Sequence, residues 1–223
     1  MYTIGTPRLP PCVKGLIIAN VAIFILQLLP GIGDTVTGVG AMNPVYAFKY
    51  LQLWRLVTYM FLHSPDMLFH ILFNMLSLWW FGAELEDIWG RNKFLLFYFV
   101  CGIGSGLFTL FYLVAGQPNV IVIGASGAVL GLLTAYAIYY PQRQVLLFGI
   151  FPMRMRTLVI GYAAISVFFS VSGGGGNVSH IVHLGGIVVA YVYLKTVPAL
   201  IIEWNKRMYV WRSRRQINRM TKK

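Results

Sequence analysis

The chain has 223 residues, 58% of them hydrophobic and only 11% charged, with a formal net charge of +12. Such an apolar composition excludes an ordinary soluble domain and makes a bilayer the natural solvent. Two cysteines, Cys12 and Cys101, fall in no metal-binding spacing and are expected as free thiols.

A helix needs roughly 20 apolar residues to cross a bilayer. Six candidate spans follow in order: 15–30, 66–83, 94–114, 124–140, 157–171 and 179–200. The first is flanked by "PRLPPCVK", which lacks a small-residue cleavage site, so it is not read as a removable signal. Span two contains "FLHSPDMLFHILFNMLSLWWFG", in which His70 and Asn74 are four apart and share one face. Each can donate a hydrogen bond from a side-chain nitrogen, and an interhelical pair that only holds a bundle together is the structural alternative.

Span four follows "PNVIVIGASGAVLGLL". From Ser126 to Tyr140 it runs 15 residues, about 22 Å, which is short of a hydrocarbon layer of roughly 30 Å. Its helix is therefore expected to begin below the membrane surface, with "PNVIVIGA" dipping down to meet it. Gly127 and Gly131, followed by Ala135, form a small-residue step that suits close helix packing. Span five is also short. The segment 171–179, "VSGGGGNVS", precedes span six and is expected as a mobile cap over the site. In "NVSHIVHLGGIVVAY", His183, Gly186 and Ala190 lie on one face, while His180 sits near the start of the span.

An even number of spans puts both ends of the chain on one side. That side receives Arg8, Lys14, Arg91, Lys93, Arg143, Arg154, Arg156 and the eight basic residues from Lys206 to Lys223, against Lys49 and Arg55 on the other. The bias makes both termini cytoplasmic. It also accounts for the net charge without nucleic acid. The tail "WNKRMYVWRSRRQINRM" is expected to lie on anionic headgroups. The organisation expected is a cytoplasmic N-terminus over 1–14, a six-helix domain over 15–200 and a basic tail over 201–223.

Spans two, four and six all run inward, and His70, Ser126 and His183 each fall near the start of their span. Three separate segments thus bring polar groups to a similar depth, which unrelated packing motifs have no reason to do. Intramembrane polar groups are costly and point to function. Ser126 is expected at a helix N-terminus, where unpaired N–H groups and the dipole favour negative charge. The chemistry this suits is acyl transfer. Ser126 is the candidate nucleophile and His183 its general base. The Ser126 N–H with the His70 and Asn74 side chains forms an oxyanion site, and Gly124 keeps the approach open. No aspartate has an evident route to His183, so a dyad is expected, with the imidazole oriented by packing or by a neutral partner.

At these residues the chain resembles the rhomboid family of intramembrane serine proteases. "LWRLVTYMFLH" is similar to the family's first loop through Trp54, Arg55 and His63. "HILFNMLSLWWFG" matches its HxxxN segment, and "LEDIWGRNKFLLFY" its E…G turn through Glu86 and Gly90. "GASGAVLGLL" matches the GxSG nucleophile segment, and "HLGGIVVA" the helix of the catalytic histidine. The resemblance implies an all-α membrane protein, a polytopic six-transmembrane-helix rhomboid bundle, with no cofactor and no metal. It implies cleavage of single-span membrane proteins in or beside their transmembrane segment, in a prokaryotic plasma membrane, with the site opening to the outer face. It maps the dyad onto Ser126 and His183 and the oxyanion pair onto His70 and Asn74. Two positions depart from the family: Leu130 stands where an aromatic often packs on the histidine, and Ala190 replaces a close-packing glycine. The alternatives are a proteolytically inactive rhomboid-like binder of membrane helices and a His-lined transporter.

Overall fold

A computed structural model describes residues 8–147, 150–172 and 179–197. In chain order it contains α1 (Pro11–Gln27), α2 (Gly33–Gly40), a π-helical turn (Val45–Lys49) and α3 (Arg55–Thr58) with a following 3-10 turn (Tyr59–Phe61). Then come α4 (Leu68–Ser77), a π-helical turn (Leu78–Gly82), α5 (Ala83–Trp89), α6 (Arg91–Leu107), α7 (Leu110–Val114) and α8 (Ser126–Tyr139). A two-stranded hairpin, β1 (Gln144–Leu147) and β2 (Phe151–Arg154), leads into α9 (Met155–Ser172), and α10 spans His180–Val197. The stretches Leu68–Trp89, Arg91–Val114, Met155–Ser172 and His180–Val197 are long and apolar enough to cross a membrane, while Pro11–Gln27 and Ser126–Tyr139 are shorter apolar helices. All six expected spans therefore coincide with apolar helices.

The first helix starts earlier than its hydropathy suggests, at Pro11 rather than residue 15. Proline is preorganised for a first helical turn. The next N–H groups are held from elsewhere: the Glu86 carboxylate of α5 accepts from Cys12 N at 3.0 Å and from Val13 N at 2.8 Å. These donors have no intrahelical partner, and a carboxylate complements the dipole there. Glu86 is only 3% exposed, so the cap is internal to the bundle. Gly90, at φ +79°, then turns the chain from α5 into α6.

Helix α8 has buried residues on every side, including Gly127, Val129, Gly131, Leu132, Thr134 and Tyr136. A helix apolar all round belongs at the centre of its bundle. It packs on α6 and α9. Small residues set the α6 crossing: a Cβ on Gly131 would lie 2.6 Å from Cys101 Cβ, and one on Gly127 would collide with Ser105 Oγ. Both glycines also face the last helix: the Gly127 carbonyl lies against Gly186, and a Cβ on Gly131 would lie 3.6 Å from Gly186 O. At the other end of α8, Glu84 accepts from Tyr136 Oη at 2.8 Å and from Arg143 at 2.8 Å.

Two regions differ from the sequence-based picture. The segment after span one carries α2, α3 and the π-helical turn, where only a loop is expected. Its order comes from tertiary bonds: Asn43 donates to Pro118 O and Val120 O, and the buried Arg55 donates to Ala41 O at 2.6 Å. The wholly helical expectation also misses the hairpin, with Gln144 opposite Arg154 and Leu147 opposite Phe151. An apolar run this short, interrupted by glycine and proline, cannot complete a helix, and a two-stranded ribbon tolerates Pro152 because both its edges are open.

The chain divides into two compact units, Met1–Ala190 and Tyr191–Lys223. In the second, Lys195 lies over the Tyr191 ring at 5.8 Å. The glycines of the expected cap, within 173–178, and the basic tail over 201–223 lie outside the described residues.

Candidate active site

Ser126 is the first residue of α8, and the chain reaches it through irregular backbone. Met42 and Val122 form an antiparallel bridge, and Gly124 N donates to Tyr59 O at 2.9 Å. The "PNVIVIGA" segment is thus irregular backbone covered by protein, which is the setting in which such backbone persists within apolar surroundings. Helix α8 has no side-chain N-cap, and the first N–H groups of a helix have no intrahelical partner.

His183 comes from α10. Its Nε2 lies 2.6 Å from Ser126 Oγ. The approach is close because Gly186, one turn further on, sets its backbone against the Gly127 carbonyl, where any Cβ would collide. Ser105 Oγ of α6 donates to Val182 O and fixes the first turn of α10 beside the site. Both Ser126 and His183 are half-buried.

His70 approaches from α4. Ser64 N approaches its Nδ1 at 3.5 Å. The other ring nitrogen faces Gly124: a Cβ there would lie 2.6 Å from His70 Nε2 and 3.7 Å from Ser126 Oγ. His70 therefore presents Nε2 beside the serine. Asn74 is differently engaged. It is buried, and its Nδ2 donates to His70 O one turn back at 2.7 Å. One of its two amide hydrogens is thus committed to its own helix.

Sequence reasoning leaves unnamed the partner of the other imidazole nitrogen. Tyr162 of α9 places its hydroxyl 2.7 Å from His183 Nδ1, with the two rings 5.8 Å apart. A signal for it exists in the sequence: Met155, Val159, Tyr162 and Ser166 are spaced as one helix face, which is the face α9 buries. Tyr162 carries the phenol on that stripe.

The remaining histidines surround this centre. His180 stacks on Phe169 at 5.0 Å and lies edge-on to His183 at 6.4 Å. His63 is fully buried, 5.0 Å from His70, with no partner for either ring nitrogen. Burial pulls its imidazole down to about 3, and His70 beside it acts in the same direction. Among the described residues, no group of three His, Cys, Asp or Glu side chains converges as a metal-ligand set. What the arrangement offers is a hydroxyl on a base, beside N–H donors at a helix start.

Comparison with known proteins gives the family of the chain. A sequence profile of the Rhomboid domain matches residues 50–199. Rhomboid protein 1, mitochondrial, of Saccharomyces cerevisiae is 28% identical over 184 residues, covering 76% of this chain and 52% of that protein. Rhomboid protease GlpG of Yersinia pestis (strain Pestoides F) is 28% identical over 183 residues, covering 80% of this chain and 60% of its own length. The same figures hold for Rhomboid protease GlpG of Yersinia pseudotuberculosis serotype O:3 (strain YPIII). The chain thus matches over half to three fifths of these relatives' length. The profile encloses His70, Asn74, Gly124, Ser126, Tyr162 and His183. With helices of membrane-crossing length and this match, the chain is an integral membrane protein of the rhomboid family.

Proposed function

We propose that this protein is an intramembrane serine protease that hydrolyses peptide bonds in or beside the transmembrane segment of single-span membrane proteins. The observation that carries the reading is the 2.6 Å contact between Ser126 Oγ and His183 Nε2 at the start of α8. A serine hydroxyl is a poor nucleophile until a positioned base takes its proton, and this distance is that of a working hydrogen bond.

In the proposed reaction Ser126 Oγ attacks the scissile carbonyl carbon while its proton passes to His183 Nε2. The carbonyl oxygen becomes an anion, received by the Ser126 N–H, the His70 Nε2–H and the remaining Asn74 amide hydrogen. Such preorganised donors are each worth about 10²–10³-fold in rate. Collapse breaks the C–N bond, and Nε2 returns its proton to the leaving amine. Water then attacks the acyl-serine, again losing a proton to Nε2, and the C–Oγ bond breaks as Nε2 returns that proton to Oγ, releasing the acid and regenerating Ser126. No cofactor enters these steps. The apolar helices support six spans, and the distribution of basic residues supports both termini in the cytoplasm and a site opening to the outer face.

A fluorophosphonate probe tests the reading on the purified protein in detergent and in membranes. Labelling is expected for the wild type, absent in Ser126→Ala and reduced at least 100-fold in His183→Ala, with cleavage of a transmembrane reporter lost in parallel. Unlabelled wild-type protein that melts cooperatively would overturn the dyad in favour of a helix-binding role. Reporter cleavage that survives Ser126→Ala would remove the serine from the chemistry.

A further inference from the structure

We propose that Tyr162 is the positioning residue of the dyad, accepting the Nδ1–H of His183 on its phenol oxygen and so holding the imidazole in the tautomer that turns a bare Nε2 to Ser126. This rests on the reading of Ser126 as nucleophile and His183 as base.

The geometry carries the inference. Both ring nitrogens of His183 are occupied, Nε2 by Ser126 Oγ at 2.6 Å and Nδ1 by Tyr162 Oη at 2.7 Å. A neutral imidazole has one N–H. If that proton sat on Nε2, the ring would donate to the serine rather than accept from it, and no base would exist. A productive resting state therefore needs an acceptor at Nδ1, and the phenol oxygen is the group at that atom. In acid-containing triads the corresponding acceptor is a carboxylate, whose chief service is the same choice of tautomer.

The contact also strengthens as the reaction proceeds. When Nε2 takes the Ser126 proton, the ring becomes a cation and its Nδ1–H a charged donor. Charge-assisted hydrogen bonds are roughly twice as strong as neutral ones. The Tyr162 bond thus favours the transition state over the ground state, which raises turnover rather than binding. The phenol stays neutral throughout and takes no proton.

Placement supports the role. Tyr162 sits between Val159 and Ser166, both buried on the inward stripe of α9, and Met155 N donates to Arg143 O at the start of that helix. The phenol thus comes from an anchored face. Residue 130, one turn into α8, is leucine and offers no hydrogen bond, so orientation of His183 falls to a different helix.

The test compares Tyr162→Phe and Tyr162→Gln with the wild type, using reporter kinetics, a pH–rate profile and thermal melting of the whole protein. Phenylalanine keeps the ring and loses the acceptor. Glutamine loses the ring and keeps an acceptor oxygen. The expected result is a fall in kcat of about 10–100-fold for Tyr162→Phe, with KM changed less than about 3-fold and melting preserved. The acidic limb of its pH–rate profile should move, and Tyr162→Gln should recover part of the loss. A packing role predicts the reverse order, with Phe near wild type and Gln impaired, and that outcome overturns the proposal. Nitrogen-15 NMR of the wild type adds a reading that needs no variant: Nδ1 of His183 must be the protonated nitrogen at neutral pH, and a bare Nδ1 overturns the proposal. Failure here is separable from failure of the dyad, because Tyr162→Phe should still label slowly at Ser126 whereas Ser126→Ala should not label at all.

Discussion

Gly124 is held by two independent constraints. Its φ of +122° is one that residues with a side chain rarely adopt, and a Cβ would lie 2.6 Å from His70 Nε2. The same residue anchors the irregular approach to the serine by donating to Tyr59 O. Gly124→Ala should therefore displace His70 from the site and strain the segment that delivers Ser126. Fluorophosphonate labelling should slow by about 100-fold, as for loss of an oxyanion donor, while the folded state loses only about 1–3 kcal/mol of stability. Measuring both in one preparation separates the effects; unchanged labelling would mean that His70 is not held by this close approach. Gly124 was legible in the sequence because glycine before a candidate nucleophile has a backbone meaning. Tyr162 was not, although it lies on a readable helical stripe. Spacing gives the face a residue occupies, but which atom on another helix its hydroxyl meets is decided by the crossing of α9 and α10. Asn74 shows the same limit: the spacing to His70 was readable, but not that its amide turns back to its own helix.

Hydropathy located the six longer apolar helices among the described residues, since each must bury or expose apolar residues over many turns. It did not locate their capping, because the cap of α1 is 73 positions away in sequence. Glu86 on α5 closes the first turn of α1, one carboxylate oxygen accepting from each of those two N–H groups. Glu86→Ala leaves both donors without an acceptor and should cost about 2–6 kcal/mol, at about 1–3 kcal/mol per buried donor. Glu86→Gln keeps one acceptor oxygen and should lose roughly half of that. The chain carries its own reporter in Cys12, whose N–H is one of the two. Fraying should speed maleimide labelling at Cys12 while the fully buried Cys101 stays protected. Equal labelling in the wild type and in Glu86→Ala would show that α1 starts without help from α5. The outer segment and the hairpin were illegible for a related reason. Asn43, Arg55 and Met42 order the first by bonds to distant backbone, and a four-residue strand carries too little periodicity to declare itself.

Over the whole molecule the usual distribution of polarity is partly inverted. Large apolar side chains such as Ile18, Phe69, Leu72, Ile160 and Phe168 face outward, while Asn20, Gln27, Arg55, His63 and Asn74 are inside. A bilayer tolerates the former; of the latter, Asn20, Gln27, Arg55 and Asn74 make internal side-chain bonds. His63 is the titratable member without a partner on either ring nitrogen, so it is buried neutral, and this couples the stability of the whole fold to pH. Its folded value lies near 3 against an ordinary 6.5. Between those values the unfolded chain binds the proton and the folded protein does not. The His63 contribution is therefore fully present above pH 6.5 and is lost as pH falls through the window toward 3, by about 1.4 kcal/mol per pH unit. From neutral pH to pH 5 the wild type should lose about 2 kcal/mol through this one residue. His63→Gln has no proton to gain, so its unfolding free energy in detergent should fall less over the same interval, by that amount. The comparison of slopes is what matters, because the variant also changes packing and starts from a lower stability at neutral pH. If the two proteins lose stability in parallel between pH 7 and pH 5, His63 is charged or solvated in the folded state and the buried pair it forms with His70 is not neutral.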